Sequence, residues 1–340
     1  MSIHNQNKKI ISELNSALYD CQPSKLLSQL ESVFTADCKI QLAFPFEDLN
    51  GPKELYQKAY QLLLEAIPDL ERRNFIMMAG ASETGNWVGC AGTYIGVFEN
   101  PWLDIPPTGH PVVMRYHEFF RIEDDKITEM QGLWDIPQLM MQANAWPMAP
   151  SLGVEWVVPG PATQDGIITT PYEEEKSQSS LKLVMDMHNG LSKFAEEGAE
   201  AMGLDHYWHP KCCWYGPAGI GTNRRISGFR NWHQKPFLKA MPNRGSLEEN
   251  SRFFADGDYV GVTGWPNMHM TISCDGWMGI APANQEVTMR SLDFWRCENG
   301  KIRENWVLVD LLNVYHQLGI DVFSRMREIT GNRQEQKPVI

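Results

Sequence analysis

The chain lacks the features that mark membrane, secreted and nucleic-acid-binding proteins. No run of the sequence approaches the roughly 18 consecutive apolar residues that a membrane-spanning helix needs. Residues 1–9 are polar and do not resemble a secretion signal. The net charge is −12, which disfavours nucleic acids and anionic membranes as partners because both attract basic surfaces. We therefore expect a cytoplasmic protein that binds neither nucleic acid nor membrane.

Cysteines are few and form no pattern. The chain has seven of them, an odd number at irregular spacing, which favours reduced thiols over a disulfide framework. His206 and His209, followed by Cys212 and Cys213, offer metal-ligand atoms, but their spacing matches no common structural zinc pattern. The sequence thus predicts neither a bound metal nor another cofactor.

What the chain does contain is an internal repeat. Aligning Met114 with Met289 gives a match without gaps at an offset of 175 residues. A period this long is that of a whole domain and too long for a solenoid unit. We predict domains at residues 1–150 and 178–330, joined by a Pro-rich and acidic linker at 151–177. The matched pairs include Arg115/Arg290, Glu118/Asp293, Phe119/Phe294, Lys126/Lys301 and Asp135/Asp310.

Each copy has the same order of predicted elements. Amphipathic helix patterns come first, and four runs rich in β-branched and aromatic residues follow in each copy. This order predicts an α+β fold: two tandem cone-shaped domains, each with about three N-terminal helices packed on a curved antiparallel sheet. The predicted helices are Lys8–Tyr19, Ser24–Phe34 and Pro52–Ala66 in copy one, and Leu181–Ala195 and Gly228–Ala240 in copy two.

Three segments of copy two carry a family resemblance: Trp214-Tyr-Gly-Pro-Ala-Gly-Ile-Gly-Thr222, Gly264-Trp-Pro266 and Gly300-Lys-Ile-Arg-Glu-Asn-Trp-Val-Leu-Val-Asp310. They resemble the SnoaL-like polyketide cyclases, within the group that shares the nuclear transport factor two fold. The resemblance implies an intramolecular aldol ring closure without a cofactor, in which an acidic side chain moves protons at a carbon next to a carbonyl. It assigns that role to Asp310, and Asn305 stands where many relatives carry histidine.

Strand parity gives an independent prediction of the catalytic face. If the last strand is extended through Asp310, then Glu304, Trp306 and Asp310 share one face, and we expect that face to line a pocket. Asp293 offers a second carboxylate on the preceding strand. A carboxylate beside indole rings in a partly dry cavity has a raised pKa, which suits proton transfer. The predicted catalytic residues are Asp310 as acid and base, Asn305 as polar anchor, and Asp293.

Plainer roles for these carboxylates stay open. Asp310 could instead be a helix N-cap, because aspartate is favoured at that position. Asp293 could pair with Arg290 or Arg296 on the surface.

Aromatic residues are unusually frequent in copy two. They favour a pocket for a small apolar or aromatic carbonyl compound, with filling of the core as the alternative. The predicted substrate-binding residues are Trp214, Tyr215, Trp232, His233, Trp265, Trp277 and Trp306.

Copy one departs from copy two at the positions where chemistry is expected. Gln131 stands in place of Trp306, and Met130 in place of Asn305. We favour a structural role for copy one, as half of an intramolecular pseudo-dimer, and leave further homo-oligomerisation open. The alternative is a second site formed by Asp135, Glu118, His117 and Trp134.

Three functions therefore remain. The first is the cyclase or isomerase. The second is an epoxide or lactone hydrolase, which would need Asp293, Arg290 and Asp310 to converge on one water. The third is a protein that binds a small ligand without catalysis, since a fold alone does not specify a reaction.

Overall fold

The computed structural model describes residues 2–191 and 202–331, and two similar units lie within them. The helices of copy one are α1 (Ile3–Tyr19), α2 (Pro23–Val33), α3 (Gly51–Leu55), a π-helical turn (Tyr56–Tyr60), α4 (Gln61–Ala66) and α5 (Ile136–Gln142). Its strands are β1 (Phe34–Leu42), β2 (Glu47–Asn50), β3 (Glu71–Ser82), β4 (Gly85–Val97), β5 (Pro111–Glu123) and β6 (Lys126–Trp134).

Copy two repeats this order with shorter strands and additional elements. Its helices are α6 (Glu174–Leu191), α7 (Leu204–Tyr207), α8 (Arg225–Phe229), a π-helical turn (Arg230–Gln234), α9 (Lys235–Ala240), a 3-10 turn (Glu248–Asn250), α10 (Leu311–Gln317) and α11 (Val322–Thr330). Its strands are β7 (Trp208–Tyr215), β8 (Asn223–Arg224), β9 (Gly245–Ser246), β10 (Arg252–Asp256), β11 (Tyr259–Thr263), β12 (Met268–Thr271), β13 (Glu286–Met289), β14 (Ser291–Glu298) and β15 (Lys301–Val309).

Each copy is a layer of helices on a six-stranded sheet, which confirms the predicted α+β class. The strand orders are β2-β1-β6-β5-β4-β3 and β10-β11-β14-β15-β7-β8, and β13-β12-β9 form a small third sheet. The sheets are mixed, because β1 runs parallel to β6 and β7 runs parallel to β15. The sequence did not predict β1 and β7, since polar residues such as Lys39 and Lys211 interrupt their apolar pattern.

The predicted helices are largely present, with differences at their ends. The third helix of copy one and its counterpart in copy two each contain a π-helical turn. α6 begins at Glu174, within the predicted linker, and residues 192–195 of the predicted helix Leu181–Ala195 lie outside the described residues. None of the described helices is long and apolar enough to span a bilayer.

The two large sheets pack against each other through equivalent residues. Phe119 and Phe294, which are 175 residues apart, stack with ring centroids 4.8 Å apart. Gly89 makes room for this pair, because a Cβ there would lie 2.8 Å from Phe294 Cε1 and 2.9 Å from Phe119 Cε1. His117 Nδ1 donates to the carbonyl of its own counterpart, Leu292, at 2.6 Å. The two copies thus pack as the halves of a pseudo-dimer.

A second pair of equivalent residues joins the copies at the ends of their last strands. Asp310 Oδ2 accepts the backbone N–H of Phe44 in copy one at 3.0 Å. Asp135 Oδ2 accepts the backbone N–H of Ala218 in copy two, also at 3.0 Å. Each aspartate also has an arginine near it at the equivalent position, Arg290 at 3.1 Å from Asp310 and Arg115 at 3.6 Å from Asp135.

Candidate active site

Copy two encloses a cavity of about 650 Å³ between its helices and its sheet. This volume suits a small organic ligand. The lining is mainly apolar and aromatic, with a few polar side chains. From the sheet come Val262, Ser291, Asp293, Trp295, Asn305, Val307 and Val309; from the helices, Leu181, Met185, His188, Phe229, His233 and Phe237; from loops, Arg244 and Asn267; and from copy one, Ala81, Ser82 and Glu83.

Asp293 is the carboxylate of the sheet that faces this cavity. Ser291 Oγ donates to Asp293 Oδ1 at 2.6 Å. Burial raises the pKa of Asp293 to about 7, against the opposing effects of the Ser291 hydrogen bond and the Arg115 charge. An aspartate with such a pKa exchanges protons readily at neutral pH. It makes no surface ion pair with Arg290 or Arg296, which bind other carboxylates.

A pair of polar residues holds Ser291 in place. Asn267 Nδ2 donates to the backbone carbonyl of Ser291 at 2.7 Å, and the Ser291 N–H donates to Asn267 Oδ1 at 3.0 Å. Both residues line the cavity. The Ser291 hydroxyl is therefore directed at Asp293 from a fixed backbone.

Asn305 also lies in the cavity wall, as predicted, but its amide has a defined orientation. Its Nδ2 donates to the carbonyl of Phe294 at 3.0 Å. The amide oxygen accepts no hydrogen bond from the described residues and can accept one from a ligand. Asn305 can thus bind a hydroxyl group of a ligand, whereas stabilising an enolate oxygen would need a donor.

The predicted pocket face of β15 is wrong. Asn305, Val307 and Val309 line the cavity, whereas Glu304 and Trp306 point to the other side. There Glu304 pairs with Arg296 at 2.6 Å, and Trp306 Nε1 donates to the carbonyl of Pro159 at 2.9 Å. Copy one and the linker cover that side, so both faces of the strand are buried and parity alone could not identify the inner one.

Asp310, the predicted acid and base, does not line the cavity. It caps α10 by accepting the Asn313 N–H at 3.1 Å, and its other oxygen binds Phe44 and Arg290. Burial raises its pKa, against the opposing charge of Arg290. The plainer role of helix cap is the one that the geometry supports, and Asp310 is in addition a contact between the copies.

Only two of the predicted substrate-binding residues, Trp214 and His233, line the cavity. Their rings stack with centroids 4.0 Å apart. The other five lie outside the lining, because the frequency of aromatic residues does not distinguish pocket from core or surface. Tyr215 donates to Glu304 beside Trp306, Trp232 is 53% exposed, Trp265 packs on the Arg290 guanidinium, and Trp277 is buried against Phe237.

Sequence reasoning missed several residues of the cavity, among them His188, Trp208 and Arg244. His188 follows Leu181 and Met185 at helical spacing on α6, so the apolar face of that helix could have indicated it. Burial and the Arg244 charge lower the pKa of His188 to about 4 and that of His233 to about 3. Both rings are therefore neutral at physiological pH. No local signal marks Arg244, which follows a turn after α9.

In copy one the corresponding interior is filled. Glu118, the counterpart of Asp293, is fully buried and pairs with Arg72 at 2.5 Å. Trp134 Nε1 also donates to Glu118, at 2.8 Å, and Tyr94 donates to it as well. Side chains of copy one therefore surround the Glu118 carboxylate, whereas the Asp293 carboxylate faces a cavity.

The four residues of the second candidate site do not converge. Glu118 and Trp134 meet in the interior of copy one, whereas Asp135 and His117 contact copy two. Nor do Asp293, Arg290 and Asp310 converge on one water, because only Asp293 lines the cavity. Among the described residues, no three His, Cys, Asp or Glu side chains are grouped as a metal site requires.

Comparison with protein families identifies the repeat. The model of the SnoaL-like polyketide cyclases matches residues 12–143 and again residues 187–318, two segments 175 residues apart. The chain belongs to this family. As a SnoaL-like protein, it is an enzyme of the cyclase or isomerase kind, with a role that needs no cofactor. No curated protein sequence matches the chain.

Solved structures similar to this SnoaL-like chain each correspond to part of it. IdmH from Streptomyces antibioticus has 20% identity and a TM-score of 0.35, and the match covers 41% of this chain and 99% of IdmH. AclR from Streptomyces galilaeus has 19% identity and a TM-score of 0.35, with 41% and 95% covered. An NTF2-like protein from Burkholderia xenovorans has 16% identity and a TM-score of 0.31, with 41% and 95% covered.

Proposed function

We propose that copy two catalyses an intramolecular aldol-type cyclisation or isomerisation of a carbonyl compound, with Asp293 as the acid and base. The observation that supports this most directly is the position of Asp293. It is the sheet carboxylate that lines the 650 Å³ cavity, and its pKa is raised to about 7. A base with a pKa near the working pH is the most effective one for proton transfer.

The reaction would use Asp293 twice. The ionised carboxylate removes a proton from the carbon next to a carbonyl, and the resulting enolate attacks a second carbonyl of the same molecule. A carbon–carbon bond forms, and the protonated Asp293 returns its proton to the new alkoxide. The product has the composition of the substrate, so no oxidant, reductant or cofactor takes part.

The other residues of the cavity would position this chemistry. Ser291 donates to one carboxylate oxygen of Asp293 and leaves the other for the substrate. The Asn305 amide oxygen accepts from a hydroxyl group, and the stacked rings of Trp214 and His233 offer a flat apolar wall. Such a wall suits a planar ring system.

The test is hydrogen–deuterium exchange next to a carbonyl. A panel of bicyclic and tricyclic ketones, beginning with 1-tetralone, is incubated with the protein in D₂O and followed by NMR. We expect catalysed exchange with the wild-type protein and a loss of about 10²-fold or more in Asp293→Asn, in line with the usual contribution of general base catalysis. The variant keeps the side-chain shape, and circular dichroism checks its fold.

Asp310→Asn is the matched control. Its carboxylate lies between the copies and outside the cavity, so exchange should stay within a few-fold of the wild-type rate in the folded variant. Exchange that persists in Asp293→Asn, exchange lost in a folded Asp310→Asn, or no catalysed exchange of any ketone would each count against the proposal.

A further inference from the structure

Arg244 lies in the wall of the cavity, and its side chain has no charged partner in the part of the chain that the structure describes. The turn Met241–Arg244 that follows α9 places its guanidinium 5.8 Å from the centre of the Phe237 ring. Its Nε is buried without a hydrogen-bond partner. The Arg244 side chain makes no hydrogen bond or ion pair with any other described residue. Since buried charges in proteins are normally paired, this arrangement is unusual.

Among the residues that the structure describes, no charged group compensates Arg244. Burial lowers the pKa of Arg244, but an arginine remains protonated at neutral pH. The neighbouring His188 and His233 are neutral. The charge that acts on Asp293 is that of Arg115, and Arg244 is not among the causes of its pKa shift.

The second arginine of the cavity wall is already engaged. Arg252 Nη1 donates to the backbone carbonyls of Glu249 at 2.6 Å and Ser251 at 3.0 Å. Arg244 is therefore the lining arginine whose side chain makes no hydrogen bond with the described residues, and all of its donors can serve a ligand. Its planar fork fits a carboxylate through two parallel hydrogen bonds.

We propose that Arg244 binds a carboxylate group of the substrate, so that the cavity takes a flat carbonyl compound that also carries one carboxylate. A single negative charge matches the one charge of Arg244 in a mostly apolar cavity, whereas a phosphate dianion would leave one charge uncompensated. The proposal rests on the proposed function for the reacting carbonyl, but the role of Arg244 is testable by binding alone.

The experiment compares two probes that differ in charge, 2-naphthoate and 2-naphthamide, by isothermal titration calorimetry on the full chain. The wild-type protein should bind the naphthoate at least tenfold more tightly. Arg244→Met should lower naphthoate affinity at least tenfold, and its naphthamide affinity should stay within about threefold. Lys239→Met, which removes an exposed positive charge from α9 outside the cavity, should keep the wild-type preference.

Two further readouts separate this role from a structural one and from the proposed catalysis. Removing an uncompensated buried charge should leave the Tm of Arg244→Met equal to or above that of the wild-type protein, whereas a structural role would lower it. Asp293→Asn should retain the preference for naphthoate even though its exchange activity is lost. Equal affinities for the two probes, no binding of naphthoate, or a preference that survives in Arg244→Met would overturn the proposal.

Discussion

Asp293 and Asp310 show how surroundings decide what a buried aspartate does. Burial raises the pKa of both. Asp310 binds an arginine and two backbone N–H groups, so its oxygens are occupied. Among the described residues, Asp293 accepts a side-chain hydrogen bond from Ser291 alone, and its carboxylate otherwise faces the cavity. Asp293, with one oxygen open to the cavity and a pKa of about 7, is suited to proton transfer. Asp310, whose two oxygens both accept hydrogen bonds, is suited to a structural role.

The raised pKa of Asp293 predicts a particular dependence of stability on pH. In the folded protein the pKa is about 7, against an ordinary value of 3.8. Between these values the folded form holds a proton that the unfolded chain has released, so this group lowers the free energy of unfolding as the pH rises. Asp293→Asn removes the effect. We expect the Tm of the variant minus that of the wild type to grow from about pH 4 to pH 7 and to level off above.

Differential scanning calorimetry at matched ionic strength measures this difference. Other buried carboxylates are the same in both proteins and cancel in the subtraction. A difference that does not change between pH 4 and pH 7 would mean that Asp293 has an ordinary pKa, and the assignment of the base would fail with it.

At the scale of elements, the junction of β15 and α10 combines a helix cap with a contact between copies. Asp310→Ala removes the bond to Asn313, the bond to Phe44 and the buried pair with Arg290. Breaking a buried pair by removing one partner typically costs about 3–5 kcal/mol. We expect urea denaturation to show a loss of that size, and a smaller loss in Asp310→Asn, whose amide oxygen still accepts hydrogen bonds.

Asp321→Ala is the comparison for this prediction. Asp321 caps α11 by accepting the Ser324 N–H at 2.9 Å, and it is exposed, so its loss should cost about 1 kcal/mol. If Asp310→Ala costs no more than Asp321→Ala, capping alone explains Asp310 and the contact with copy one contributes nothing to stability.

The same strand shows where element-level reasoning reached its limit. The extended segment and the sharing of faces by parity were both predictable for β15. Which face is inner was not. Residues 304–308 are buried without interruption, because helices cover one side and copy one covers the other, and a strand buried on both faces carries no polar side to orient it.

At the scale of the whole molecule, copy one completes the cavity of copy two. Ala81, Ser82 and Glu83 at the β3–β4 hairpin of copy one line it, although copy one has its own interior filled. A structural role for copy one therefore includes shaping the candidate site.

A substitution in copy one should consequently affect binding in copy two. Ala81 is exposed, so Ala81→Phe should leave the Tm within a few degrees, but its ring would narrow the cavity. We expect at least a several-fold loss of affinity for 2-naphthamide by calorimetry, and no loss in Lys9→Phe, which adds a ring to an exposed site on α1. Unchanged affinity in Ala81→Phe would show that the hairpin does not bound the ligand.

The sequence by itself determined the repeat, the α+β class, the family and the approximate positions of the main helices, because these depend on local periodicity and on the similarity of the two copies. It also named Asp293 and Asn305. Only the tertiary structure decided that Asp310 and Trp306 lie between the copies, and that Arg244 and His188 join the cavity. The physical reason is that the role of a buried side chain depends on the residues that pack against it, and many of these come from distant parts of the chain.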